Sequence, residues 1–207
     1  MVLKDKEQLR KIVTELSTIL NDEVILRSDE VDSFFELLGE RFCTDPASSN
    51  INYHSCHDGG LMSHTLNVIK AMYKLNGTGL YNCDRESIAV VGLFHDLGKI
   101  GSYQPDQAMY IDLLADDQWK YKRGYRYSSN PDLNDGLTHS LRSLRTLSKI
   151  NFPLLDDEYN AIFQHDSYFE EQNRSLAMMR CNFPLVKLLQ HADQMATINE
   201  KFIESNI

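Results

Sequence analysis

Apolar positions along the chain recur first at helical spacing. Leu9, Ile12, Val13, Leu16, Ile19 and Leu20 fall at i, i+3, i+4, i+7, i+10 and i+11, the stripe with which a helix buries one face, and they predict a first helix over residues 5–20. Ser28 and Asp29 offer N-cap chemistry ahead of Val31, Phe34, Phe35 and Leu38, and this pattern stops near Cys43, before Asp45-Pro46, which predicts a second helix. The stretch from Thr44 to Gly60 is polar and without periodicity. Two adjoining apolar rows then start from Leu61, one through Thr65, Val68 and Met72, the other through Met62, Leu66, Ile69 and Tyr73, so a loop feeds a third helix.

Residues 87–97, SIAVVGLFHDL, are almost continuously apolar, a pattern that a buried strand shares with a buried helix. Their length with flanks, and their helical neighbours, favour a central helix. Residues 101–136, rich in Gly, Pro, Asn, Asp, Ser and Tyr, predict a long loop, and loops of this length inside a compact domain are usually functional or disordered. Further helices are predicted at 138–149, at 156–165 with Asp156 or Asp157 as N-cap, and at 184–203, where Pro184 suits the first turn. The fold class is all-α, a single domain in which an N-terminal helical pair, residues 1–45, packs on a core formed by residues 46–207.

Composition narrows the setting. The 207 residues lie within the range of one domain, and no stretch has the ~18 uninterrupted apolar residues of a membrane span, so no membrane partner is expected. The 21 Lys+Arg against 30 Asp+Glu leave a net charge of −9, which disfavours a surface given over to long nucleic acid but allows a local basic pocket. MVLKDKEQLRKIV places charges where a signal peptide needs an apolar run. Cys43, Cys56, Cys83 and Cys181 lie far apart, with no C-x-x-C pair, and suit neither a disulfide framework nor a thiolate zinc site. Together these point to a reducing, cytoplasmic location; the oligomeric state stays open.

Histidines and aspartates carry the chemistry. His-Asp occurs three times, at His57-Asp58, His95-Asp96 and His165-Asp166, where chance would give about 0.6 such dipeptides, so context must separate them. His95-Asp96 lies in the most apolar segment, where an unpaired carboxylate would carry a prohibitive desolvation cost, and a metal is the usual compensation. His64, three residues after Leu61 and four before Val68, points with the apolar face of its helix. His95 shares a face with Val91 and Ile88, and Asp193 sits beside a stripe from Leu189 to Met195 and Ile198. Such an imidazole and carboxylate set suits Mn²⁺, Fe²⁺, Co²⁺, Ni²⁺ or Zn²⁺ better than Mg²⁺. His139 and His165 open and close further predicted helices. His57 and His191 have no independent reason to face the same point and read as ordinary hydrogen-bonded residues.

In this order His64, His95-Asp96, His139, His165 and Asp193 resemble the HD superfamily of metal-dependent phosphohydrolases, in the variant H…HD…H…H…D, over roughly residues 50–200. Local pieces add to the likeness: Tyr53-His54, Gly59-Gly60-Leu61, Phe94 through Lys99, Thr138-His139-Ser140 with Ser143, Glu158 through His165, and His191-Ala192-Asp193. The resemblance implies a mostly helical fold in which His64, His95, Asp96 and Asp193 surround one metal. Asp96 would bridge to a second, held by His139 and His165, with a bridging hydroxide as the nucleophile toward phosphorus. Where family members often have two adjacent histidines, this chain has His54 followed by Ser55; His54 is a candidate proton donor or phosphate contact.

Phosphoester cleavage needs cations that neutralise phosphoryl oxygens. Lys99 either presents its ammonium to such an oxygen or answers a helix C-terminus. Trp119 to Tyr127 interleaves Lys120, Lys122, Arg123 and Arg126 with aromatics: either a solvated loop or a site for a nucleotide or strand end. Arg142 follows His139 at helical spacing and is a candidate for the same phosphate; Arg145 fits the surface. The expected function is hydrolysis of a nucleotide phosphoester at a dinuclear centre. The alternatives are a 3′-5′ exonuclease on short single strands, a catalytically silent nucleotide-binding module, or histidines that are merely core groups.

Overall fold

The computed structural model describes residues 6–101, 108–133, 135–166 and 183–204. Helix α1, Lys6–Glu23, runs a turn further than its apolar stripe because Val24 is buried as well and its N–H bonds the Leu20 carbonyl. Helix α2, Ser28–Thr44, starts one residue earlier than the expected cap chemistry implies: Arg27 occupies the N-cap without a side-chain cap bond, and Ser28 and Asp29 lie inside the first turn. Its buried face of Val31, Phe34, Leu38 and Phe42 packs edge-to-face, with Phe34 5.7 Å from Phe42 and 5.0 Å from Phe94.

Helix α3, Gly60–Asn76, is the hub against which α1, α2, α4 (Arg85–Phe94) and α7 (Pro184–Glu204) pack. Its entry is tight. A Cβ on Gly60 would stand 2.0 Å from the Ser55 carbonyl, so only glycine lets the preceding loop turn back over the helix start. Asp84 caps α4 by accepting from the Ser87 N–H at 2.9 Å.

The central apolar run is helical only to Phe94. Asp96 adopts φ −103°, ψ 9°, and a 3-10 turn follows over Leu97–Ile100. Side chains replace the missing helical bonds: the Ser143 hydroxyl donates to the His95 carbonyl at 3.0 Å and accepts from the Gly98 N–H at 2.7 Å. Ser143 belongs to α5, His139–Lys149, which Thr138 caps through the Leu141 N–H.

The expected loop over 101–136 contains regular pieces. Strands β1, Tyr110–Asp112, and β2, Tyr127–Ser129, pair antiparallel with Tyr110 opposite Ser129, and 3-10 turns cover Ala115–Arg123 and Pro131–Leu133. The fold remains predominantly all-α. Helix α6, Asp156–Gln164, takes Leu155 as its N-cap in place of Asp156 or Asp157, because Glu158 reaches back to the Leu155 N–H at 2.9 Å. The fully buried Glu158 also accepts two bonds from Arg27, at 2.6 and 2.9 Å, and one from Ser87 at 2.8 Å. This network ties the α1–α2 junction to α4 and α6, the helices that end at His95 and His165. No helix among the described residues is long and apolar enough to cross a membrane.

Candidate metal centre

Five elements deliver the six residues of the histidine–aspartate pattern. His64 sits one turn into α3, His95 caps the C-terminus of α4 with Asp96 beside it, His139 opens α5, His165 caps the end of α6, and Asp193 lies midway along α7. His64, His95, Asp96 and His165 are buried. The surroundings of Asp193 differ from the expected stripe: the buried face of α7 runs through Leu189, Ala192 and Ala196 to Glu200, whereas Met195 is on the open side and Ile198 is 67% exposed. Asp193 stands at the edge of that face, its carboxylate turned to His64.

The Asp96 carboxylate divides its two oxygens between two pairs of imidazoles. Oδ2 lies 3.6 Å from His64 Nε2 and 3.5 Å from His95 Nε2, while Oδ1 lies 3.4 Å from His139 Nε2 and 3.6 Å from His165 Nε2. Ligands held about 2.1 Å from one ion stand roughly 3.0–3.5 Å apart at the edges of its coordination polyhedron. The donor atoms of His64, His95 and Asp193 gather within 4.8 Å of one another, as do those of Asp96, His139 and His165. The described part of the structure thus contains buried His/Asp groups able to hold a metal ion.

Hydrogen bonding on the far side of each ring makes the same point. His95 Nδ1 bonds the Gly92 carbonyl at 2.8 Å, and His165 Nδ1 bonds the Ile162 carbonyl at 2.7 Å; a carbonyl only accepts, so the proton is on Nδ1 in both. His64 Nδ1 faces the Glu200 carboxylate at 3.2 Å. Each Nε2 is left to face the cluster. Among the described residues, His54, His64 and His95 Nε2 are buried without a hydrogen-bond partner, although His64 Nε2 stands 3.0 Å from Asp193 Oδ1. A buried polar atom left so costs about 1–3 kcal/mol. An Nε2 aimed inward, with the opposite nitrogen anchored, is how ligating imidazoles are oriented.

No family model, curated protein or solved structure matches this chain.

The cluster's electrostatics are those of a site that wants cations. Burial alone would lower the His64 pKa, but the Asp193 and Glu200 carboxylates outweigh it and raise it to about 10. Burial is likewise overcome at His165, where Asp96 and Asp166 raise the value to about 9. His95, with less compensation, falls to about 4. Asp96 would be pushed up by desolvation, yet Lys99 and the surrounding imidazoles hold it well below the ordinary carboxylate range.

The other expected site residues divide. His54 joins the cluster: its ring lies 4.2 Å from that of His64, and burial, with the cations of His64 and Lys99, lowers its pKa to about 3, so it is a neutral imidazole at pH 7. Lys99 Nζ bonds Asp96 Oδ2 at 2.7 Å, and its pKa is raised by Asp96 and Tyr110 in spite of burial. Arg142 is engaged elsewhere, its Nε on Asp135 at 3.1 Å, and Arg145 pairs with the same carboxylate at the surface. Lys122 and Arg123 are exposed and Arg126 is half-buried; among the described residues none of the three pairs with a carboxylate of the cluster. His57 bonds the Asp58 carbonyl and His191 bonds Tyr81 at 2.6 Å, both at the surface.

Two carboxylates escape the sequence pattern. Glu200 receives Ser55, His64 and Asn67, and Asp166 lies 2.8 Å from His139 Nε2. Asp166 carries a signal, the third His-Asp dipeptide. Glu200 carries none, standing 136 residues from its partner. Cys43 and Cys83 are free thiols, while Cys181 lies outside the described residues.

Proposed function

We propose that the protein is a metal-dependent phosphohydrolase of the HD type, which cleaves a phosphoester bond of a nucleotide at a two-cation centre. The observation that carries this reading is the division of Asp96, one oxygen toward His64 and His95 and the other toward His139 and His165. A carboxylate so shared is the ligand through which two cations would be held side by side. His64, His95 and Asp193 would complete one site, and His139 and His165 the other. The nitrogen-rich donor set favours Mn²⁺, Fe²⁺, Co²⁺, Ni²⁺ or Zn²⁺.

When bound, such ions neutralise phosphoryl oxygens and make hydroxide available near neutral pH. The chain's own groups do the rest. Lys99, fixed by Asp96 but not sealed from solvent, offers its ammonium to a phosphoryl oxygen, and neutral His54 offers a ring N–H on the other flank. Glu158 and Arg27 tie together the N-terminal ends of α4 and α6, the helices whose opposite ends carry His95 and His165.

Elemental analysis and a screen of nucleotides, cyclic nucleotides and short oligonucleotides against divalent metals test the proposal. The wild-type chain should carry up to two ions and release phosphate or nucleoside. Asp96→Ala should carry neither ion and show no turnover, with its helical circular dichroism retained. Full activity in Asp96→Ala would end the two-cation reading.

A further inference from the structure

We propose that the segment Trp119–Tyr127 is a stacking platform for single-stranded nucleic acid, so that the nucleotide phosphoester reaching the metal centre is carried on a strand. This rests on the phosphohydrolase reading for its chemistry but not for its binding.

Cations and aromatic rings are already paired on the platform. The Arg123 guanidinium lies 4.9 Å from the Trp119 ring centroid, with Lys120 at 5.8 Å, and Arg126 lies 4.4 Å from that of Tyr121. Trp119 and Tyr121 are each 55% exposed, so both rings are open to a ligand. A guanidinium on one side of a ring leaves the other side open to a base while its own N–H groups remain available to phosphate. Residues 119–127 contain four cations and no carboxylate in a chain of net charge −9. Lys120 is paired with Asp117 at 2.7 Å, so Lys122, Arg123 and Arg126 supply the positive field.

The platform is fastened to the loop that leads into the metal centre. Asn50 and Asn52 each donate to the Arg123 carbonyl at 3.2 Å, the Ile51 N–H bonds the Gly124 carbonyl at 3.0 Å, and the Arg126 N–H bonds the Ser49 carbonyl at 2.8 Å. Gly124, at φ +90°, is needed for this fit, since a Cβ there would meet the Asn50 and Asn52 side chains at 2.8 and 2.9 Å. Two residues beyond Asn52 is His54, whose ring abuts His64. The platform and the cluster are thus joined by one continuous stretch, residues 49–54, along which a stacked strand would extend. A mononucleotide would need no such extension.

Trp119 is the single tryptophan of the chain, so its fluorescence reports on this surface alone. The experiment titrates the full chain, in excess chelator so that no hydrolysis occurs, with a thymidylate 12-mer and separately with thymidine monophosphate. The 12-mer should quench the tryptophan, and Tyr121→Ala should weaken its binding about tenfold. The double variant Lys122→Ala, Arg123→Ala should lower the slope of log affinity against log salt by roughly 0.7 per cation removed. Absence of quenching, equal quenching by the mononucleotide, or an unchanged salt slope in the double variant would each overturn the proposal. Turnover of a small phosphoester without quenching would sink the platform and spare the hydrolase; quenching without turnover of any phosphoester would do the reverse.

Discussion

Glu200 shows what one side chain outside the sequence pattern contributes. Burial would raise its pKa, but the His64 cation and the Asn67 amide hold it down at about 2, so it is a carboxylate at any working pH. It grips His64 Nδ1 and thereby turns Nε2 toward Asp96 and Asp193. Removing its charge while keeping its shape, in Glu200→Gln, should leave the fold intact and weaken metal binding about 10–100-fold, the usual effect of losing such an outer partner. Isothermal titration with the preferred metal checks it, and an unchanged affinity would assign Glu200 to packing alone. His64 and His95 were legible as inward-facing because their neighbours at helical spacing are apolar. Glu200 was not, because the pairing of α3 with α7 that brings it to His64 is tertiary, and its own flanks, Ile198 and Phe202, are exposed. Met195 and Ile198, both exposed, made Asp193 look like part of the wrong stripe.

At the scale of elements, one close approach joins the two halves of the centre. The Leu97–Ile100 turn packs on α5 at Gly98, where a Cβ would stand 2.0 Å from the His139 carbonyl and 2.7 Å from Arg142 Cβ. Neither obstacle is the end of a flexible side chain. Gly98→Ala must therefore push α5 away from Asp96, at a cost in the range of about 1–3 kcal/mol for overpacking. His139 rides on the first turn of α5, so metal at the His139–His165 pair should be lost before metal at the His64–His95–Asp193 group. Metal stoichiometry falling from two toward one, in a variant that still unfolds cooperatively, is the expected result; equal loss at both sites would mean that the turn rather than α5 had moved. Helices α3, α5 and α7 could be bounded from sequence because their start signals, Gly59-Gly60, Thr138 and Pro184, are local. The β1–β2 pair was hidden, since Tyr110 finds Ser129 only across 18 intervening positions whose composition reads as loop.

For the whole molecule, proton and metal compete for the same imidazoles, and this gives stability two opposite dependences on pH. In metal-free protein, burial is outweighed by carboxylates that raise His64 from 6.5 to about 10 and His165 from 6.5 to about 9. A folded-state pKa above the unfolded value contributes stability that is complete below about pH 6.5 and is lost as pH climbs through 9 and 10. Asp193 and Glu200, held below their ordinary values by His64, contribute in the other sense: their share is present above about pH 4.5 and is lost on acidification. His54 and His95, which burial lowers to about 3 and about 4, also cost stability as pH falls below about 6.5, so metal-free stability should peak near pH 6.5. Bound cations require unprotonated imidazoles, so each ion must displace the proton of His64 or His165, whereas His95, lowered to about 4, gives up none. Metal affinity should accordingly rise with pH up to about 9, and with it the stabilisation that bound metal adds, about 2.7 kcal/mol at one hundred times its dissociation constant. Thermal unfolding with chelator and with saturating Co²⁺, at half-unit steps from pH 6 to 8.5, separates the two terms. The melting temperature in chelator should decline toward pH 8.5 while the gap opened by the metal widens. A gap that narrows with pH would mean that the ion does not replace protons on His64 and His165, and would remove those two residues from the ligand set.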